Sequence, residues 1–370
     1  MTAYITRTGA FLPGEPVDNA NIGAYVGTLL GENRIRRRVL KANGIEHRYY
    51  ALDRRQKATH DVYEMAALAI EACLEGGAAE GAISYLSAGS THTPLNGPGL
   101  SSMLHAELQR RGLVNNALEV NSNAGICTSG AQALVNTCRA VGSGAHRHAL
   151  CVGVEQPSAI LKSRAIKPIY DWRRMLRDVR QSQWFMSVFL RSMLSDGAGA
   201  VLVQDRPQPD GTSFAVTWTY SRSFAHETPL CMQLDNRNAL LSQDIGVLMQ
   251  HMGPCLRKVV AEAMAVNDDH LADYKVILPH LSSFFFRRHM LDVFRSYREA
   301  DGRPIEYWTN LATKGNTGAA SIFILLDEYA RTHHLAEGDR VLLFIPESGR
   351  FNFVLISLQV VGAHQAEVAR

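Results

Sequence analysis

Apolar and polar positions follow two different periods along the first half of the chain. Short stretches with a period of two predict strands, and longer stretches with apolar residues three and four apart predict helices. The predicted strands are Ala3–Ala10, Ala82–Ala88, Ala117–Val120, His148–Val154 and Ala200–Gln204, and the predicted helices are Asp18–Leu30, Thr59–Leu74, Leu100–Arg110 and a helix through Ala131, Leu134, Val135 and Cys138. Because strands and helices alternate, we expect parallel βαβ units and an α/β fold.

The second half repeats the order of the first with little sequence identity. Its predicted strands are Ser213–Tyr220, Tyr274–Leu278, Glu306–Leu311, Val341–Ile345 and Phe353–Val361, and its predicted helices are Ile245–Ala265 and Ala319–Tyr329. The Pro-rich linker Asp205–Gly211 is the best candidate boundary. We therefore predict two duplicated halves, residues 1–205 and residues 212–370, with a site between them.

Composition excludes several classes of function. The 370 residues are 46% hydrophobic and 20% charged, as in ordinary globular proteins, and a net charge of +3 is too small to indicate nucleic-acid binding. No segment reads as a signal peptide or a membrane span, so we expect a cytoplasmic protein. The six cysteines lie far apart and predict free thiols, and the histidine pairs His146/His148 and His333/His334 lie in turn-like stretches, so no metal is expected.

Cys127 lies where the strand Ala117–Val120 has ended and a helix begins. Unpaired N–H groups and the helix dipole favour a thiolate at such a position, and the small residues around Cys127 would let a carbonyl group approach the sulfur. Cys127 is therefore a candidate nucleophile. The alternative is a small buried cysteine that serves only packing.

Two polar residues of the second half occupy related positions. His280 follows the strand Tyr274–Leu278, and Asn316 precedes the helix Ala319–Tyr329 as Cys127 precedes its own helix. Taken singly, His280 is more often a packed residue and Asn316 a helix cap. Their occurrence with Cys127 at matching ends of duplicated units indicates one shared site.

At this point the sequence resembles the thiolase-fold ketosynthases, in particular the ketoacyl-acyl carrier protein (ACP) synthase III group, nearly from end to end. The resemblance is carried by Asn43-Gly44-Ile45-Glu46-His47-Arg48, Ala124-Gly125-Ile126-Cys127, Gly153-Val154-Glu155, Asp196-Gly197-Ala198-Gly199-Ala200, Pro279-His280 and Gly315-Asn316-Thr317-Gly318-Ala319-Ala320-Ser321. It implies a thiolase-like fold of two βαβ halves in five layers (αβαβα).

The resemblance also implies roles for the site residues. Cys127 would accept an acyl group from an acyl carrier protein or coenzyme A (CoA) thioester. His280 and Asn316 would stabilise the enolate of a malonyl-type extender as carbon dioxide leaves, and the backbone N–H groups of Cys127 and Gly349 would hold the acyl oxyanion. No cofactor is required, and a homodimer is expected.

The sequence departs from the housekeeping enzymes at two places. Leu281-Ser282-Ser283 replaces their usual Gln-Ala-Asn, and a basic, aromatic insert, Leu161–Arg191, is longer than usual. We assign carrier binding to Arg173, Arg174 and Arg177 of this insert. The dialkylresorcinol-forming and other polyketide-type condensing enzymes are the subgroup that the chain most resembles.

Two other functions compete with condensation. One is acyl transfer to an alcohol or an amine, in which relatives tend to carry an acid at the position of Asn316. The other is a non-catalytic partner subunit of a ketosynthase heterodimer, against which the joint presence of Cys127, His280 and Asn316 argues.

Overall fold

The computed structural model describes residues 1–29, 31–75, 81–166, 183–235, 240–295 and 306–362. Its strands are β1 Tyr4–Phe11, β2 Val17–Asp18, β3 His47–Arg48, β4 Tyr85–Ser90, β5 Glu119–Ala124, β6 His148–Glu155, β7 Gly197–Gln204, β8 Ser213–Ser223, β9 Met232–Asp235, β10 Leu240–Gln243, β11 Val276–Pro279, β12 Arg340–Glu347 and β13 Asn352–Val361. Its α-helices are α1 Ile22–Val26, α2 Glu32–Asn43, α3 Val62–Leu74, α4 Leu100–Arg110, α5 Ser129–Gly142, α6 Ser158–Leu161, α7 Ser163–Ile166, α8 Gln183–Arg191, α9 Ile245–Asn267, α10 Arg287–Arg295, α11 Leu311–Lys314 and α12 Ser321–Thr332.

Within the described residues, nine strands form one mixed sheet in which a similar strand order occurs twice, with β5 as an additional strand of the first half. In the first half the order is β1-β7-β6-β4-β5, and in the second it is β8-β13-β12-β11. The outer strands of both halves pair in parallel and the inner ones pair antiparallel, so each half is mixed and not all-parallel as the alternation of elements suggested. An antiparallel contact of Tyr4 and Ile5 in β1 with β8 joins the halves. The boundary between residues 205 and 212 stays a prediction; there the chain passes from β7 to β8.

Three hydrophobic clusters separate the layers. One cluster packs α3 and α4 on the outer face of the first half of the sheet. A second places α5 and α12 between both halves of the sheet, and a third packs α9 and α10 on the outer face of the second half. The order helix, sheet, helix, sheet, helix confirms the predicted five-layer arrangement.

Two glycines bring the central helices together. A Cβ atom added to Gly130 of α5 would lie 2.2 Å from the Ala319 carbonyl oxygen, and one added to Gly153 of β6 would lie 2.3 Å from the same atom. A side chain at either place would push away the segment that begins α12. These contacts hold the start of α5, next to Cys127, against the segment that follows Asn316.

Three predicted elements differ in the structure. The predicted helix Asp18–Leu30 is reduced to α1, because Val17 and Asp18 pair with β3 and Gly27 leaves the helix at φ +74°. The predicted strand Glu306–Leu311 is a single bridge of Tyr307 to Ile277 before α11. Strand β5 runs on through Asn121 and Asn123, because it pairs with β4 residue by residue.

No helix among the described residues is both long and apolar enough to cross a membrane.

Candidate active site

Cys127 lies in the turn between β5 and α5. The turn is closed by a bond from the Ser129 N–H to the Ile126 carbonyl (3.2 Å), and Ser129 is the first residue of α5. The thiol is partly buried and lines a large cavity of the described protein. The sequence therefore places the nucleophile candidate correctly at the start of a helix.

The pKa of Cys127 is higher than its place at the start of a helix predicts. Burial raises the pKa of the thiol well above its usual value, and the Glu347 and Glu155 carboxylates raise it further. The prediction of a favoured thiolate considered only the helix N-terminus, and it is wrong for the resting site because desolvation and two negative charges oppose the anion. The thiol form is therefore favoured in the resting site.

His280 is buried directly after β11. Its backbone N–H donates to the Phe344 carbonyl (2.8 Å), and its Nδ1 lies 2.5 Å from the Ser321 hydroxyl. Nε2 is buried without a hydrogen-bond partner among the residues that the structure describes, and burial lowers the pKa of the ring to about 4. A Ser321 hydroxyl that donates to Nδ1 leaves the single ring proton on Nε2, the tautomer that can donate into the cavity.

Asn316 is held by its backbone and by one side-chain oxygen. Its N–H donates to the Met193 carbonyl (3.1 Å), and its carbonyl accepts from the Ser195 N–H (2.8 Å). Oδ1 accepts from the Gly318 N–H at 2.9 Å, which fixes the orientation of the amide. Nδ2 makes no hydrogen bond within the described residues, so it remains available as a donor to a ligand.

Cys127, His280 and Asn316 all line the same cavity, which encloses about 1120 Å³ with its open mouth included. Besides these three residues, its polar lining consists of Thr91, His92, Glu155, Gln243, Ser282, His289 and Ser348. The large apolar side chains of the lining are Ile126, Ile160, Leu190, Met193, Leu194, Met232, Leu241, Leu248, Met252, Leu256, Leu281, Phe286, Met290 and Phe344. A thioester head group and an apolar chain therefore fit one continuous space.

Glu155 is a site residue to which sequence reasoning assigned no role. Its Oε1 accepts from the Thr91 N–H (3.0 Å), the Thr91 hydroxyl (2.5 Å) and the Ala319 N–H (3.1 Å). Burial outweighs these bonds and raises the pKa of the carboxyl to about 7. Its partners are distant in the chain, so only its place in the Gly153-Val154-Glu155 motif could have drawn attention to it.

Glu347 and Ser321 were also missed. Glu347 ends the apolar strand β12 and contacts the Cys127 turn through hydrogen bonds to Ile126 and Thr128. A charged residue directly after an apolar strand was the available signal. Ser321 belongs to the motif that follows Asn316, but its bond to His280 depends on the packing of α12 against β11.

Two further predictions concern residues outside this set. Gly349 lies in the turn after Glu347, where its carbonyl accepts from the Cys231 N–H (3.0 Å); its neighbour Ser348 is the residue that lines the cavity. Its role as an oxyanion donor stays a prediction. Arg173, Arg174 and Arg177 lie outside the described residues.

No group of three or more His, Cys, Asp or Glu side chains within the described ranges has a metal-binding arrangement.

Comparison with known proteins supports the resemblance. Residues 269–345 match the family described as 3-oxoacyl-[acyl-carrier-protein (ACP)] synthase III C terminal. A β-ketoacyl-[acyl-carrier-protein] synthase III from Xanthomonas oryzae pv. oryzae (strain MAFF 311018) is 25% identical over 347 residues, which cover 92% of this chain and 93% of the relative.

Solved structures with the same fold cover almost the whole chain. The tetronic acid condensing enzyme AbyA1 superposes with a TM-score of 0.76 at 19% identity, covering 97% of this chain and 100% of the other. FabH from Pseudomonas aeruginosa PAO1 superposes with a TM-score of 0.73 at 18% sequence identity. A variant of OleA from Xanthomonas campestris superposes with a TM-score of 0.75 at 16% identity. Each comparison covers 97% of this chain and 98% of the other. The thiolase-like fold is confirmed, and the chain is similar to the synthase III condensing enzymes.

Proposed function

We propose that this chain is a ketoacyl-ACP synthase III-like enzyme that takes an acyl group on Cys127 and condenses it with a malonyl or β-ketoacyl carrier thioester by decarboxylative Claisen chemistry. The product would be a β-ketoacyl thioester of polyketide or fatty-acid type. The dialkylresorcinol-forming and other polyketide-type condensing enzymes are the subgroup that the sequence most resembles.

One observation carries the proposal. His280 Nε2 and Asn316 Nδ2 have no hydrogen-bond partner within the described residues, and both side chains line the cavity that contains the Cys127 thiol. Two neutral donors beside a nucleophile suit an enolate oxygen, because the charge of that oxygen develops only in the reaction. Burial lowers the pKa of His280 to about 4, which supports a neutral donor at physiological pH.

The half-reactions balance with water as the only further reactant. In acylation, Cys127 Sγ bonds to the acyl carbon, the bond from that carbon to the carrier sulfur breaks, and the Cys127 proton leaves with the carrier thiol. In condensation, carbon dioxide leaves the malonyl group and its bonding electron pair forms the enolate. The α-carbon then bonds to the acyl carbon, the bond to Sγ breaks, and Sγ regains a proton from water.

The lining of the cavity supports an apolar acyl chain as the substrate class. Leu190 and Met193, at the end of α8 and just beyond it, face the cavity, as do Leu248, Met252 and Leu256 from α9. These five side chains are apolar and offer no strong hydrogen-bonding group to an acyl chain. A charged or strongly polar acyl group would lose hydration there without replacement.

We propose an acyl carrier protein as the preferred donor. The assigned carrier-binding residues Arg173, Arg174 and Arg177 lie outside the described residues. On the described surface, Arg287 and Arg288 are exposed at the start of α10, beside His289, which lines the cavity. Charge reversal at the three insert arginines should raise the carrier KM, more strongly at low salt, because exposed charges act through a screened field.

A homodimer is proposed from the edge strand β5. This strand ends the nine-stranded sheet, and its residues Glu119, Val120 and Ser122 are exposed. An exposed edge of this length is a ready pairing surface for a second copy. The mass of the protein in solution should be near twice 40.8 kDa, the mass of one chain. Val120→Arg should shift the mass towards that of one chain. A wild-type protein with a mass of 40.8 kDa would contradict the dimer.

Intact-protein mass spectrometry tests the central proposal. Wild-type protein incubated with acyl carrier or acyl-CoA thioesters should gain one acyl group, and Cys127→Ala should gain none. Subsequent malonyl thioester should release the acyl group as a β-ketoacyl thioester and carbon dioxide. An acyl-enzyme that forms but is never elongated by malonyl or β-ketoacyl carriers would exclude condensation, and equal acylation by acyl-CoA would exclude the carrier preference.

Acyl transfer to an alcohol or an amine is the second candidate, and Glu155 is the observation that favours it. Its pKa is raised to about 7, and its Oε2 accepts no hydrogen bond from a described residue. A carboxyl group with such a pKa can take the proton of an attacking hydroxyl or amine. Product analysis with alcohol and amine acceptors distinguishes the reactions, because only condensation forms a carbon–carbon bond.

A further inference from the structure

Glu347 places a buried carboxylate between two turns of the candidate site. It is the last residue of β12 and only 3% exposed. On one side lies the turn that carries Cys127, and on the other lies the turn that carries Gly349. A buried carboxylate is costly unless hydrogen bonds compensate it, so its partners indicate what it stabilises.

Its Oε2 holds both neighbours of Cys127. The Thr128 N–H donates at 3.0 Å, the Ile126 N–H donates at 3.3 Å, and the Thr128 hydroxyl donates to the same oxygen. The residues on either side of the nucleophile are thus anchored to one atom. Since the intervening peptide can rotate little, the Cys127 N–H has a defined direction.

The other carboxylate oxygen of Glu347, Oε1, contacts the turn that carries Gly349 and the first residue of β13. The Asn352 side chain donates to it at 2.9 Å from the start of β13. A Cβ atom added to Gly349 would lie 2.7 Å from Oε1 and 3.2 Å from Cδ1 of Ile126. Residue 349 therefore packs directly on the carboxylate and on the turn of the nucleophile, which only glycine allows.

We propose that Glu347 is a positioning residue that ties the Cys127 turn to the Gly349 turn and so sets the spacing of the two backbone donors for the acyl oxygen. This rests on the proposed function, in which those donors hold the oxyanion. A carboxylate suits the task because its two oxygens accept all four donors, whereas an alanine would leave three buried N–H or O–H groups of the Cys127 turn unpaired.

Because Glu347 contacts the Cys127 turn, the reactivity of the Cys127 thiol reports on the charge of Glu347. The charged or titratable groups that act on the thiol or line the same cavity are Glu347, Glu155, His280, His92 and His289. Burial keeps His280 neutral, since its pKa is about 4, and it lowers the pKa of His92 as well. Glu347→Gln removes one negative charge and keeps the shape, while the Asn352 amide can turn to accept from the new NH₂ group.

Alkylation by iodoacetamide tests this contact without any acyl substrate. Cys127 Sγ bonds to the reagent carbon, iodide leaves, and the thiol proton goes to water, so the rate follows the thiolate fraction. With Cys127→Ala subtracted, Glu347→Gln should move the pH profile to lower pH and accelerate alkylation about tenfold at pH 8, because a like charge has been removed. Glu337→Gln, at an exposed position, is the matched control and should behave as wild type. Coinciding profiles for Glu347→Gln and wild type would overturn the proposal.

Acylation tests the positioning itself. Glu347→Ala should slow Cys127 acylation about 100-fold, as expected when an oxyanion donor is misplaced, and Glu347→Gln should restore it. Wild-type acylation rates in a folded Glu347→Ala protein would overturn the proposal; if that variant does not fold, Glu347→Gln decides through its alkylation profile. A wild type that alkylates normally but accepts no acyl thioester would contradict the proposed function and not the contact between Glu347 and Cys127.

Discussion

His280→Ala is the sharpest test of the division of labour in the site. In the wild type, Nε2 is buried and has no hydrogen-bond partner in the described part of the chain, and Nδ1 contacts the Ser321 hydroxyl. Removing the ring takes away one of the two proposed donors to the enolate and leaves Asn316 as the other. We therefore expect decarboxylation of malonyl thioester to fall, while acylation of Cys127 continues.

The size of the effect follows from the protonation state of the ring. Burial lowers the pKa of His280 to about 4. At pH 7 only about one molecule in a thousand then carries an imidazolium, since each pKa unit is a factor of ten. The lost interaction is a neutral hydrogen bond to a developing oxyanion, for which deletion costs about 10²-fold to 10³-fold in rate. With Asn316 still present, about 10²-fold is expected.

The assay measures carbon dioxide release from malonyl thioester and the mass of the acyl-enzyme in the same sample. Persistent acylation shows that the variant is folded, and His334→Ala, an exposed histidine, is the matched control. Wild-type decarboxylation by His280→Ala would refute the assignment. A wild-type rate that declined as pH rose through about 6.5, the ordinary histidine pKa, would refute the neutral-donor argument.

Three further predictions concern Asn316, Ser321 and the ionisation of His280. Asn316→Asp keeps the acceptor for Gly318 but replaces the Nδ2 donor with a negative oxygen, so carbon dioxide release should fall at least about 10²-fold with acylation retained; an unchanged rate would exclude Asn316 as a donor. Ser321→Ala removes the bond that orients the His280 ring, and decarboxylation should fall about tenfold, the worth of one hydrogen bond; equal rates would show that the tautomer does not depend on Ser321. Because the pKa of His280 is lowered to about 4 in the folded state, the unfolded chain takes up its proton first as pH falls. The contribution of the neutral ring to the free energy of unfolding is thus present above pH 6.5, and roughly 3 kcal/mol of it is lost towards pH 4. Urea titrations at pH 7 and 4.5 should therefore show a larger drop in the free energy of unfolding for wild type than for His280→Ala. Equal drops would contradict the lowered pKa.

The sequence by itself determined the elements whose signal is local. Apolar periodicity predicted the strands around β6, β7, β12 and β13 and the helices α3, α4 and α9, because a residue's burial repeats with the period of its own segment. The small residues near Cys127 marked where β5 gives way to α5, and those near Asn316 marked the turn that precedes α12. The repeated order of elements was sufficient to predict a duplicated fold with both residues at one site.

Tertiary structure decided what depends on residues that are distant in the chain. The bonds of Glu347 to Thr128, of Glu155 to Ala319 and of Ser321 to His280 join segments separated by 219, 164 and 41 positions, so no local pattern contains them. The direction of the Cys127 pKa belongs to the same class. A helix N-terminus is visible in the sequence, but burial in the cavity and two carboxylates from other elements arise only when the layers pack, and together they favour the thiol.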